Sequence, residues 1–276
     1  MDRIKVMVNG IPGNVAVNLF RHINADNRFE LLHYSLTGPE ITDTEYRCDD
    51  STIRLLQPDL RDGFMPGILK TAGSFISVDF THPSAVNANA EFYSRWNLPF
   101  VMGTTGGDRD HLEAVVRNSE LSAVIAPNMA KQIVAFQAMI DFAARSFPEL
   151  FKGYSLQVRE SHQKGKADTS GTARAVVSSF QQLGIDFSMA DIDQERDPET
   201  QKSEWGIPEE YLTGHAWHTY TLTSEDRTTK FEFTHNVNGR DIYARGTMDA
   251  IEYLHHQLQK NDRGTVFTMM DVLRGI

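Results

Sequence analysis

A single cysteine, Cys48, stands among 276 residues. No intrachain disulfide can form, so burial and hydrogen bonds must hold the fold, and the chain fits a reducing compartment. A lone thiol with no motif around it reads as a packed or surface residue before it reads as a reactive one. Long apolar runs are missing as well. The first apolar residues, Ile4, Val6, Met7 and Val8, are interleaved with Arg3 and Lys5 and stop at Asn9-Gly10. That run is too short for a secretory signal, and nothing later approaches the roughly 18 to 20 apolar residues of a membrane span. These absences lead to the expectation of a cytoplasmic chain. Positive charge is in deficit, with a formal net charge of −10. An acidic surface repels nucleic-acid phosphates and anionic membranes, so neither is expected as a partner. There is no Gly-x-Ser-x-Gly elbow to support an esterase triad. No histidine or cysteine cluster has zinc spacing, so no metal is expected.

What is present is enough apolar residue, 40% against 23% charged, to build a packed core rather than a disordered chain. Residues 4–8 read as a buried strand, 15–23 as a helix and 29–36 as a second strand. Further strands are expected at 75–80, 100–102 and 124–126. Helices are expected at 84–96, with Ala85, Ala88, Phe92 and Trp96 on one face, and from the Asp108 cap through Val116. Strands that alternate with helices and read as continuous apolar runs imply a Rossmann-like, doubly wound parallel sheet covered on both faces.

The pattern changes after Asn128. Ile133, Phe136, Ile140, Ala143 and Phe147 form a helical stripe ended by Pro148. Tyr154, Leu156 and Val158 then alternate with polar residues, as do His218, Tyr220 and Leu222, and Phe231 and Phe233. Alternation marks a sheet covered on one face only. The expected division is therefore a dinucleotide-binding domain of residues 1–129 and 245–276, and a smaller α+β domain of residues 130–244. The tail reads as helical over 247–259 and 266–273. The segments at 128–131 and 240–246 are candidate hinges.

Gly10-Ile11-Pro12-Gly13-Asn14-Val15-Ala16 links the first strand to the first helix. A dinucleotide pyrophosphate needs close backbone approach and unpaired helix N-terminal N–H groups at such a turn. An ordinary strand-to-helix turn is the competing reading, which the position at the first strand of an alternating pattern disfavours. Gly103-Thr104-Thr105-Gly106 and Ala126-Pro127-Asn128-Met129 also follow strands, where ligands of doubly wound sheets bind. The second strand ends Tyr34-Ser35-Leu36-Thr37-Gly38 without the acid that holds an NAD ribose. NADH and NADPH therefore both remain open, with a lean to NADPH.

The most informative stretch runs from Glu160 to Ala173 and includes His162, Gln163, Lys164, Lys166, Thr169, Ser170, Gly171 and Thr172. It leaves a strand and enters a helix at 173–183. A helix N-terminus favours anions, and histidine is the commonest general acid. The loop reads as a site for an anionic small molecule that needs a proton; the competing reading is a solvated basic loop. His215 and His218 sit three apart on an apparent strand and so lie on opposite faces.

Glu160-Ser161-His162, Lys166-Ala167-Asp168 and Ser170-Gly171-Thr172 together resemble the signature of the 4-hydroxy-tetrahydrodipicolinate reductase (dihydrodipicolinate reductase) family of lysine biosynthesis. The stretches 6–15, 78–83, 103–106, 126–128 and 239–246 fall in the family's order, so the resemblance covers nearly the whole chain. Residues 126–132 are closest to its plant-type branch. The resemblance implies hydride transfer from NADPH or NADH to an unsaturated cyclic dicarboxylate on the diaminopimelate route. It implies His162 as general acid and Lys166 as a second proton donor. Gln163, Gly171 and Thr172 would hold substrate. Gly10, Ile11, Pro12, Gly13, Asn14, Val15, Phe80, Gly103, Thr104, Thr105, Ala126, Pro127, Asn128 and Met129 would line the cofactor. It also implies a homo-oligomer, dimer or tetramer.

This chain departs from many members in two ways. Gln163 stands where they have a second histidine, and Thr169 stands where they have an Ala-Pro pair. Because the whole chain is acidic, capture of a dianion must be local, through Arg159, Lys164, Lys166 and Arg174. The alternative in another class is a non-catalytic, dinucleotide-sensing regulator on the same fold. A semialdehyde dehydrogenase would need a cysteine nucleophile, and Cys48 lies far from the catalytic half.

Overall fold

Five of the six residues in the first strand, β1 (Ile4–Asn9), are buried, which requires cover on both faces of its sheet. The computed structural model, which describes residues 3–166 and 169–275, shows how the chain supplies it. After β1 come α1 (Asn14–Asn24), β2 (Phe29–Leu31), β3 (Tyr34–Leu36), and the hairpin β4 (Glu45–Cys48) and β5 (Ser51–Leu56). There follow α2 (Arg61–Ala72), β6 (Ile76–Asp79), α3 (Val86–Arg95), β7 (Phe100–Met102), α4 (Arg109–Arg117) and β8 (Ala123–Ile125). The middle of the chain holds α5 (Lys131–Ser146), β9 (Ser155–His162), α6 (Gly171–Gln182), β10 (Asp193–Glu195), α7 (Pro198–Ser203), β11 (His215–Thr223) and β12 (Lys230–Asn238). It ends with α8 (Asp241–Gln259), β13 (Val266–Phe267) and α9 (Met269–Gly275).

Two compact units result: Met1–Lys131 with Asp241–Ile276, and Gln132–Arg240. In the first, a six-stranded sheet runs β13-β8-β7-β6-β1-β2 with every neighbouring pair parallel. The chain leaves β1 toward β2 and returns to β6 on its other side, so a switch point lies at the carboxyl ends of β1 and β6. The Rossmann-like fold expected from the sequence is what forms. A smaller sheet, β3-β5-β4, belongs to the same unit.

Several boundaries differ from the sequence expectation, each for a physical reason. The single strand expected over 29–36 is two: β2 pairs with β1, while β3 pairs with β5 in the other sheet. One apolar run serves two sheets, which periodicity cannot show. The β4–β5 hairpin and α2 were not expected at all; α2 carries Gly63, Pro66 and Gly67, poor helix formers that hide it. The helix expected over 84–96 begins as a 3-10 turn, Pro83–Ala85. Its buried face is Val86, Asn89, Ala90 and Tyr93 with Phe92, not the Ala85–Ala88 stripe. Each large apolar side chain so buried contributes roughly 2 kcal/mol. Residues 266–273 are a short strand before a helix, because Val266 and Phe267 pair with Ala123 and Val124 at the sheet edge. Asp108 caps α4 as expected, accepting from the His111 N–H at 3.1 Å.

The second unit has the sheet order β10-β9-β11-β12. β10 runs parallel to β9, and the other pairs are antiparallel. One face packs Val158, Tyr220 and Leu222 against Ile140 and Ala144 of α5 and Val176, Val177 and Phe180 of α6. Among the described residues no helix is long and apolar enough to cross a membrane.

Candidate functional site

In the first unit, the carboxyl ends of β1 and β6 open onto a cleft of about 560 Å³ lined by Gly10, Pro12, Gly13, Thr37, Glu40, Arg61, Phe80 and Thr81, among others. Gly10 has φ +102°, and a Cβ there would overlap the Phe80 carbonyl. Only glycine lets β1 turn this close to β6. The Gly13 N–H donates to the Gly10 carbonyl at 2.7 Å, and Val17 closes the first turn of α1 onto Gly13. The N–H groups of Asn14, Val15 and Ala16 thus lie at the open start of an eleven-residue helix.

The other expected cofactor residues fall elsewhere. Ile11 is buried and donates its N–H to Ser35 Oγ at 3.2 Å. Gly103 packs against the Phe80 ring, so a side chain there would displace it. Thr105 and Pro127 are exposed. The Asn128 side chain accepts from the Ala130 N–H. Ala126 and Met129 are buried, and a Cβ at Gly246 of α8 would strike the Met129 carbonyl. The strand end indeed lacks an acid, but Glu40 lines the cleft two residues past Gly38 and lies so close that a Cβ at Gly38 would overlap its carboxylate. Strand-end reasoning missed it because the acid lies past the strand.

A buried carboxylate organises this cleft. Asp79, fully buried, accepts from Thr81 N (3.1 Å) and Oγ1 (2.8 Å), Thr104 Oγ1 (2.6 Å), Asn89 Nδ2 (2.9 Å) and the Tyr93 hydroxyl (2.7 Å). Both turns after β6 and β7 hang on it. Burial and the Asp79 charge push the Tyr93 phenol well above its ordinary range.

In the second unit, β9 delivers Glu160 and His162 to the covered face of the sheet, and the register does the rest. His218 of β11 lies directly opposite Glu160, and His235 of β12 opposite His218. Adjacent strands thus bring into one row residues far apart in the chain. His162 Nε2 is 3.3 Å from His218 Nε2, which is 3.6 Å from Glu160 Oε2. The His218 ring stacks on His235 with centroids 4.6 Å apart. Glu160 has no solvent exposure; its Oε1 takes Arg196 at 2.5 Å and its Oε2 takes the Ser170 N–H at 3.2 Å. Arg196 also donates to the Lys166 carbonyl at 2.9 Å, tying the basic loop to β9.

Glu160, His162 and His218 are the one group of metal-ligating side chains that lies together among the described residues. Arg196 and the Ser170 N–H already occupy both carboxylate oxygens, so the group reads as a hydrogen-bonded cluster. His215, by contrast, bonds Ser161 Oγ and the Tyr211 carbonyl, on the opposite face from His218, as its spacing implies.

Electrostatics follow from this packing. Burial lowers His162 to about 3, with further depression from His218, Arg196 and Lys166 and opposition from Glu160. Burial and His218 lower His235 to about 4. Glu160 is held at about 2: its own burial works against ionisation, but His218 and Arg196 outweigh it.

Of the expected substrate residues, Gln163 and Thr172 are half-buried, and Gly171 is exposed at the first turn of α6, with open space where a Cβ would sit. Ser170 occupies the cap position but makes no side-chain capping bond; Glu160 takes its N–H instead. Lys166 is half-buried, and Ala167 and Asp168 lie outside the described residues. Of the four cations expected to gather charge, Arg159 is engaged by Asp193 at 3.2 Å and lies over the Trp205 ring. Sequence reasoning missed Arg196, His218 and His235, because only strand register reveals them.

Family models of dihydrodipicolinate reductase match both halves of the chain, the N-terminal model over residues 4–129 and the C-terminal one over 132–273. This chain belongs to the dihydrodipicolinate reductase family. It is 47% identical to a probable 4-hydroxy-tetrahydrodipicolinate reductase 1, chloroplastic, of Oryza sativa, over 89% of this chain and 71% of that one. It is 43% identical to 4-hydroxy-tetrahydrodipicolinate reductase 1, chloroplastic, of Arabidopsis thaliana, over 98% and 78%. Among solved structures, a dipicolinate-bound dihydrodipicolinate reductase from Paenisporosarcina sp. TG-14 shares the fold of this family member. Its TM-score is 0.66 at 16% identity, with 97% of this chain and 98% of that one covered.

Proposed function

We propose that this chain reduces 4-hydroxy-tetrahydrodipicolinate to tetrahydrodipicolinate with NADPH or NADH, in the diaminopimelate route to lysine. One observation carries the proposal: the N-terminus of α6, with open space at Gly171, follows His162 and Lys166 on the same loop. A helix N-terminus suits a substrate carboxylate, and the two side chains suit delivery of a proton. The rice and Arabidopsis relatives bear the reductase name, which favours a reductase over a regulator.

In this reading the first unit binds the nucleotide. Gly10, Pro12, Gly13 and the start of α1 take the pyrophosphate, with Phe80 and the Gly103–Thr105 and Ala126–Met129 turns at the nicotinamide end. Glu40 offers an acceptor to a ribose diol, and Arg61 a cation to a 2′-phosphate, so the cleft holds groups suited to either nucleotide. The second unit binds the dicarboxylate through Gln163, Gly171 and Thr172, while His162 and Lys166 bring the proton. When bound, the nucleotide supplies the hydride.

The exposed Met139, Phe142, Phe147 and Leu150 of the second unit fit a homo-oligomer, dimer or tetramer, to be read by sedimentation velocity. A reducing compartment, here taken as the cytoplasm, fits the single buried thiol of Cys48; the rice and Arabidopsis relatives are named chloroplastic.

The test is an absorbance assay with enzymatically generated 4-hydroxy-tetrahydrodipicolinate. Loss of nicotinamide absorbance with both nucleotides supports the reading. No loss with either, in folded protein that still binds nucleotide, rejects it.

A further inference from the structure

His162 Nε2 faces His218, not open space, and that contact decides which of its nitrogens can serve a substrate. Glu160 is ionised and can only accept; one oxygen takes Arg196, the other the Ser170 N–H. The carboxylate charge therefore favours a hydrogen on the His218 nitrogen nearest it, Nε2 at 3.6 Å. The same nitrogen lies 3.3 Å from His162 Nε2, so His162 Nε2 is the acceptor of that pair. Its own proton then sits on Nδ1. Of the charged neighbours only Glu160 favours a charged His162; burial, His218 and the two cations oppose it. Arg196 and Lys166 place positive charge nearby, His218 and His235 stack face to face, and Tyr220 sits behind them. His218 Nδ1 and both His235 nitrogens are buried without a hydrogen-bond partner among the described residues, so no hydrogen bond extends the relay beyond His218.

We propose that His218 is a positioning residue: its Nε2–H, shared between Glu160 and His162, holds His162 as the neutral Nδ1–H tautomer. His162 then serves the reduction as a hydrogen-bond donor to a substrate atom, not as an imidazolium. This rests on the assignment of His162 to the substrate site and divides its labour from that of Lys166. Once the 4-hydroxyl has left as water, a bound nucleotide would supply the hydride, with its electron pair, to one carbon of the unsaturated bond that this loss creates. Negative charge builds on the adjoining atoms, and the His162 N–H stabilises it. The Lys166 Nζ–H bond breaks as the substrate–H bond forms, and the neutral amine regains its proton from water. A neutral imidazole beside two cations pays no charge repulsion, and it avoids the expense of placing a third positive charge in a buried site.

Nitrogen-15 histidine spectra of the whole protein test the tautomer directly. His162 is expected to show a protonated Nδ1 and a bare Nε2, unchanged from about pH 5 to 8. Substitution tests the cause. His218→Gln keeps an N–H donor at this place and is expected to retain the His162 tautomer and turnover within about threefold of wild type. His218→Phe removes the donor and is expected to mix the tautomers and lower kcat about 100-fold, with nucleotide Kd and substrate KM within about twofold. A wild-type His162 protonated at Nε2 overturns the proposal even if His218→Phe fails to fold. So does a fully active His218→Phe, or a His218→Gln as impaired as the Phe variant. If His162→Gln retains turnover, the assignment of His162 itself fails; if His162→Gln is inactive while His218→Phe is not, only the present inference fails.

Discussion

Asp79 and Glu160 are both fully buried carboxylates near the ends of strands, yet they are satisfied in opposite ways. Asp79 draws on neutral donors, two threonines, an asparagine and a tyrosine, at most 25 residues away in the chain. Glu160 draws on a guanidinium, a helix N–H and an imidazole, two of them from strands or loops 36 and 58 residues on. Neutral donors fix shape: Asp79 pins the turns around the first unit's cleft. Charged and titratable donors fix protonation: Glu160 settles which histidine carries which proton. A buried carboxylate is costly in either setting unless its oxygens are met, so both clusters should be sensitive to loss of a partner, but in different observables.

The largest effect expected is on turnover. His162→Gln and Lys166→Ala should each lower kcat by roughly 100-fold or more while nucleotide affinity stays near wild type, measured by steady-state kinetics and nucleotide titration. Gly10→Val should do the reverse. The positive φ and the Phe80 carbonyl leave no room for a side chain, so nucleotide affinity and roughly 3 kcal/mol of stability should be lost. If the first pair instead lost nucleotide binding, the division between the units would be wrong.

Acid should separate the two clusters next. His162 and His235 have folded values of about 3 and about 4, below the ordinary 6.5, so each binds protons more readily unfolded, and stability falls as pH drops below 6.5 toward these values. Glu160, at about 2 against an ordinary 4.5, adds a second loss as pH falls through that lower window. Tyr93 acts at the other end: its raised phenol ionises first in the unfolded chain, so stability falls above about pH 10. Hydrogen exchange at graded pH should show β9 and β11 opening first in acid; equal protection of β6 and β9 down to pH 4 would break the contrast.

Asp79→Asn is a smaller perturbation. One oxygen becomes a donor facing other donors, so nucleotide KM should rise several-fold and stability fall by about 2 kcal/mol, with the pH dependence of kcat unmoved. The smallest effect is expected from Cys48→Ser. The thiol is buried and burial raises its pKa, which suits packing and not attack, so turnover should stay within twofold. An inactive variant would revive a cysteine mechanism.

Much of this protein is written along the chain. Both sheet types, the glycine turn, the Asp108 cap and the loop from Glu160 to Thr172 are local patterns: periodicity, turn chemistry and spacing within a few residues. The family could be read from them. What the sequence hid was set by pairing at a distance. It could not show that residues 29–36 divide between two sheets, that a glycine- and proline-bearing segment is α2, or that Glu40 reaches back over Gly38. Above all it could not place His218 and His235 beside Glu160 and His162. That row depends on the register of three strands, and a shift of one residue would turn His218 to the other face. Local sequence offered the candidates for the chemistry; strand register, which no local pattern encodes, set the hydrogen-bonded row around His162.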